Sequence, residues 1–292
     1  MTAASAGDTP EIVADYACVC GEGPLWHPAE KSLYWVDIPK GLLFAHDPST
    51  GKHRQVLQDG VIGGFTVQAD GGLLLFMEKG AVKTLKDGRL ATRVEETPGE
   101  EKSRFNDVIA DPAGRVFCGT MPSEGRKGSL YRMDIDGKMT RLVEGIGCSN
   151  GMGFTPDRRG LYYTDSATRE ISLFDYDERT GGISGRRVFV RIPESLGVPD
   201  GMTVDAKGFV WSAVWGGSCV IRFSPSGRED RRIYLTAKLA SSVTFGGEDC
   251  RDMYITTAGG DNKKKNGPGA GALFRVRPGI RGAPEFLSRV GL

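Results

Sequence analysis

Short runs of apolar, β-branched and aromatic residues alternate along the chain with polar, glycine-marked breaks. No long segment carries the 3.6-residue spacing of an amphipathic helix. The runs come in pairs. Leu33–Asp37 is answered by Leu42–Asp47, Leu73–Phe76 by Ala81–Leu85, and Val116–Thr120 by Ser129–Asp134. Further along, Leu161–Asp165 is answered by Ile171–Asp177, Val210–Val214 by Cys219–Phe223, and Met253–Thr257 by Gly271–Val276. The first members of these pairs recur at intervals of 40 to 49 residues. A period of about 40–50 residues carrying several short strands is the signature of β-propeller blades. Six copies predict an all-β fold, a six-bladed β-propeller with a central channel. No WD dipeptide closes the blades, so a WD40 array is excluded. Residues 11–20 are strand-like and are expected to complete the last sheet. The prediction is therefore one propeller domain over 11–292, behind a flexible N-terminal segment 1–10.

Composition sharpens this. The 292 residues include 42 Gly and 15 Pro, without a three-residue Gly period or a low-complexity tract. The glycine excess is therefore turn chemistry. The 38 basic and 37 acidic residues leave a net charge of +1, which predicts neither nucleic-acid nor membrane association. No apolar run approaches the roughly 18 residues that would span a bilayer. No secretory signal is visible either, so a cytoplasmic protein with reduced cysteines is expected. Histidine occurs only at 27, 46 and 53, which constrains any chemistry built on several imidazoles. Cys18 and Cys20 form a lone C-x-C with no second Cys/His pair, a weak metal signal.

Residues at equal phase in each repeat should lie at equal height around the channel. Ten or eleven residues ahead of the first run, four repeats carry an oxygen-bearing side chain: Glu22, Asn106, Asn150 and Asp200. In the second and sixth repeats the same count gives Ile62/Gly63 and Ser242/Val243. Asn-Gly and Asp-Gly also mark ordinary turns, but four such residues in register point to convergence at one mouth of the channel. Two carboxylates and two amides make a hard-oxygen set suited to Ca²⁺, Mg²⁺ or Mn²⁺.

Together, Gly21-Glu-Gly-Pro-Leu-Trp26, Arg104-Phe-Asn-Asp107, Gly119-Thr-Met121, Ser149-Asn-Gly151, Pro199-Asp-Gly-Met202 and Phe245-Gly-Gly247 resemble the senescence-marker-protein / gluconolactonase / luciferin-regenerating-enzyme family. The match runs in order from about residue 16 to the C-terminus. The resemblance implies a six-bladed propeller that holds one divalent metal and hydrolyses a sugar lactone such as gluconolactone or xylonolactone. Position by position, it makes Glu22, Asn150 and Asp200 the metal ligands and Asp200 also the proton acceptor and donor. It places Arg104, Asn106 and Glu124 on the substrate. Family members use Ca²⁺, Zn²⁺, Mn²⁺ or Fe²⁺, which leaves the cation open. The alternatives are a phosphotriester or organophosphate hydrolase on the same metal site, or a non-enzymatic calcium-binding regulatory protein. The expected partner is a small sugar lactone, and a ring that closes on itself predicts a monomer.

Other motifs carry less. Gly147-Cys-Ser-Asn-Gly151 matches the nucleophile-elbow pattern, but that motif needs a following helix and a downstream His, and the last His is His53. Asp134-Ile-Asp-Gly137 imitates the start of an EF-hand loop and reads better as a hairpin turn. Lys263-Lys-Lys265 lies in a Gly-rich stretch expected to be a mobile surface loop. His27 is expected to pack rather than to ligate.

Overall fold

The β-branched and aromatic runs form strands because a strand presents alternate side chains to two faces, and here both faces are covered. A computed structural model describes residues 9–291. It contains six four-stranded antiparallel sheets and three single-turn 3₁₀ segments. The described chain groups into two compact units.

The first unit holds residues up to 58 together with 192–284. One of its sheets runs Gly21–His27, Ser32–Asp37, Leu42–Asp47, Lys52–Gln58, and another runs Val198–Val204, Val210–Trp215, Cys219–Phe223, Glu229–Tyr234. The third combines Ala240–Gly246, Asp252–Thr257 and Ala272–Val276 with the N-terminal strand Glu11–Asp15. Glu11–Asp15 pairs antiparallel with Ala272–Val276, so the early residues complete the last sheet as their pattern predicts. Most of the expected flexible segment 1–10 lies outside the described residues. The second unit holds 59–191 and the residues from 285 onward. Its sheets open on Ile62–Val67, Phe105–Ala110 and Ser149–Phe154.

In each sheet the outermost strand is more exposed than the inner ones. Leu73–Met77 is buried throughout, whereas the fourth strand of that sheet, Arg89–Val94, is mostly exposed. Trp35, Trp211, Tyr162, Tyr163, Phe76 and Phe117 are among the largest fully buried side chains. Each such side chain contributes roughly 1.5–3 kcal/mol on leaving water.

The opening strands carry the feature that matters for function. Each has a break in register near its start. Phe105 pairs with Thr120 and Val108 with Cys118, leaving Asn106 and Asp107 opposite one residue. Asn150-Gly151 and Asp200-Gly201 sit in equivalent breaks. In the first sheet the break follows Glu22. Such bulges re-aim a side chain out of the alternating pattern. In the sixth sheet the bulged residue is Ser241, between Ala240 and Ser242, one position earlier than counting from the next strand gave.

Candidate functional site

In the second unit, three of the predicted site residues form one hydrogen-bonded chain. The half-buried Arg104 donates through Nη1 to Asn106 Oδ1 at 2.6 Å and to the Phe105 carbonyl at 2.9 Å. Asn106 Nδ2 donates to Asn150 Oδ1 at 2.9 Å and to the Ser149 carbonyl at 2.7 Å. Asn150 Nδ2 in turn donates to Ser166 Oγ at 2.8 Å. Asn106 and Asn150 are 5% and 6% exposed, so each amide is fixed by its partners rather than by water. An amide oxygen has two lone pairs. Asn150 Oδ1 uses one on Asn106 and can offer the other to a cation.

Glu124 stands apart from this chain. It is exposed at the tip of a tight turn closed by the Ser123–Arg126 backbone pair. Among the described residues it makes no side-chain hydrogen bond to Arg104 or Asn106.

In the first unit, Glu22 stands immediately before the bulge of its opening strand and Asp200 within the bulge of its own, and they are 3% and 6% exposed. Strand Ala240–Gly246 packs against both of these opening strands. Glu22 Oε2 accepts the Gly23 N–H at 2.9 Å. Gly201 must lack a side chain: a Cβ there would lie 2.0 Å from Ser242 Oγ.

Two buried carboxylates that the sequence reading passed over hold these bulges in place. Asp37 accepts the Val19 and Cys20 N–H groups at 3.0 and 2.9 Å, just ahead of Glu22. Asp165 accepts those of Gly147 and Cys148 at 3.1 and 2.9 Å, just ahead of Asn150. The signal was available, because both residues end the strand that follows a predicted ligand. Asp107 was also missed. It occupies the second bulge position, where Gly151 and Gly201 stand in the next two sheets. Burial pushes its carboxyl well above the usual range, against the opposing charge of Arg104.

Among the described residues, no three His, Cys, Asp or Glu side chains gather into a metal cluster. A cation here would need amide oxygen as well as carboxylate. His27 is 1% exposed, with Nδ1 accepting the Glu30 N–H at 3.1 Å and its ring 5.7 Å from that of Tyr34, so it packs. Ser149 is fully buried within a strand and accepts the Tyr163 hydroxyl at 2.8 Å, which is no nucleophile elbow. Asp134–Lys138 closes a hairpin, with Gly137 at φ 83°. None of the six cysteines is in a disulfide. The lysine run, expected as a loop, is a 3₁₀ turn over Lys263–Asn266, with Lys263 Nζ 3.0 Å from Asp15. No helix among the described residues is long and apolar enough to cross a membrane.

Six four-stranded antiparallel sheets following one another along the chain define a six-bladed β-propeller. The chain belongs to the SMP-30/Gluconolactonase/LRE-like family, whose model matches residues 20–259. It is 49% identical to pentonolactonase XacC of Haloferax volcanii, over 96% of this chain and 98% of that protein. It is 32% identical to regucalcin of Oryctolagus cuniculus, over 94% and 97% respectively. A solved luciferin-regenerating enzyme superposes with a TM-score of 0.88 at 26% identity, covering 97% of this chain and 99% of that one.

Proposed function

We propose that the protein is a metal-dependent lactonase that opens a sugar lactone, such as gluconolactone or xylonolactone, to the aldonic acid. The observation that carries this reading is the ordered chain Arg104–Asn106–Asn150. It is an array of forked donors and amide groups suited to hydroxyls, in a chain 49% identical to a pentonolactonase.

Glu22, Asn150 and Asp200 are the proposed ligands of one divalent ion. Two buried carboxylates and an amide oxygen with a remaining lone pair suit a cation that accepts oxygen ligands. When bound, such an ion supplies Lewis-acid polarisation of the lactone carbonyl and stabilises the developing negative charge, several kcal/mol of barrier lowering. Asp200 accepts a proton from the attacking water and returns it to the ring oxygen as the C–O bond breaks. Arg104, a permanent cation with forked donors, grips sugar hydroxyls and then the product carboxylate. Asn106 fixes the Arg104 head, and Glu124 accepts from a hydroxyl at the outer end of the substrate.

Two variants test this. Asp200→Ala is expected to lower kcat for an aldonolactone by at least about 100-fold with the circular-dichroism spectrum retained. Glu22→Ala is expected to lose divalent-ion binding in a calorimetric titration. Near wild-type hydrolysis by both would overturn the scheme. Hydrolysis of phosphotriesters but not lactones, or calcium binding without hydrolysis of either, would favour the alternatives.

A further inference from the structure

The turn that carries Glu124 is clamped from beneath by an ion pair on which the chemistry proposed above makes no demand. Glu100 is fully buried. Its Oε1 accepts the Tyr131 hydroxyl at 2.7 Å and pairs with Arg126 Nη2. Arg126 Nη1 donates to the Gly99 carbonyl. Arg126 closes the turn Ser123–Arg126, with backbone bonds of 2.9 and 3.0 Å to Ser123, so Glu124 and Gly125 form the tip. The other foot of the loop is tied to the same stretch of chain. Ser103 Oγ donates to the Met121 carbonyl at 2.6 Å, and the Met121 N–H donates to the Arg104 carbonyl at 2.9 Å. Residues 99–104 therefore hold both feet of the Glu124 loop and also carry Arg104.

The pair is a poor device for stability alone. A buried carboxylate is expensive to desolvate, and an ion pair repays that cost only when its remaining polar atoms are satisfied. Here Glu100 Oε2 and Arg126 Nε are both buried without a hydrogen-bond partner. An apolar contact would close the same loop at lower cost. What the pair provides instead is direction, because a guanidinium fork has a fixed geometry.

Resting on the lactonase reading, we infer that Arg126 and Glu100 are positioning residues. They set the Glu124 tip relative to Arg104 and so govern recognition of the sugar hydroxyls rather than the ring-opening step. The test compares Arg126→Met, Arg126→Lys and the charge-neutral double variant Glu100→Gln/Arg126→Met. The measurements are kcat and KM on a pentonolactone and a hexonolactone, with hydrogen exchange of segment 121–128. Arg126→Met is expected to raise KM about tenfold with kcat within about threefold of wild type, and to speed exchange in the segment. Arg126→Lys should recover part of both effects. The double variant, which leaves no buried charge unpaired, should keep its thermal stability yet show the same rise in KM. Unchanged exchange in 121–128, or a fall in kcat at constant KM, would overturn the inference. Should the wild-type protein open no lactone, the lactonase reading fails. The clamp is then judged by exchange alone: faster exchange in Arg126→Met upholds it and unchanged exchange overturns it.

Discussion

Asn106 shows how much one amide can organise. Its oxygen orients Arg104 and its nitrogen orients Asn150, so a proposed substrate anchor and a proposed metal ligand share one fixed side chain. Arg104→Leu is therefore expected to raise KM for an aldonolactone about tenfold or more while leaving metal affinity unchanged. Unchanged kinetics would remove Arg104 from the site. A second residue-scale prediction concerns His46, which is 3% exposed with Nδ1 buried and unpartnered. Burial, with help from the charges of His53 and Arg275, lowers its pKa below the usual value. The unfolded chain thus takes up a proton near pH 6.5 and the folded one only at lower pH, so stability is lost as the pH falls below 7. Melting temperature should drop over that window, and His46→Phe should flatten the slope. An identical slope in the variant would contradict this.

At the scale of the element, the informative unit is the bulge on each opening strand. Its positions could be read from the repeat because Glu22, Asn106, Asn150 and Asp200 keep constant phase, and the turn-like dipeptides Asn-Gly and Asp-Gly marked them. In the sixth sheet the single bulged residue, Ser241, lies one position before the pair that the same count gives, Ser242/Val243. The outer strands were hard to read, since a strand such as Glu229–Tyr234 is polar on its exposed positions and has no apolar alternation to announce it. Asp37 and Asp165 left only a positional trace, each ending the strand that follows a predicted ligand, because the N–H groups they accept lie 17 or 18 residues away. Packing at the bulge is close enough to test. Gly201→Ala would bring a Cβ within 2.7 Å of the Ser242 Cα as well as its hydroxyl. It is expected to cost about 1–3 kcal/mol, or several degrees in Tm. An unchanged thermal transition would show that the strands are not so closely packed.

Across the whole molecule, the six-fold repeat was the strongest signal, because blade strands recur every 40 to 49 residues whatever residues fill them. Glu124 illustrates what the repeat could not supply. Its place on an exposed turn depends on the Met121–Gly128 loop, which belongs to one blade only. The near-zero net charge agrees with a small neutral substrate and selects none. Family membership spans most of the chain and narrows the chemistry, while the size of the lactone and the identity of the ion stay with loop shape and ligand set. The most direct measurement is hydrolysis of a panel of aldonolactones by metal-stripped protein, with Ca²⁺, Zn²⁺, Mn²⁺ and Fe²⁺ restored one at a time. The stripped protein is expected to show negligible turnover, with lactone opening recovered by at least one of these ions. Equal lactonase activity with and without metal, or none with any of them, would contradict this.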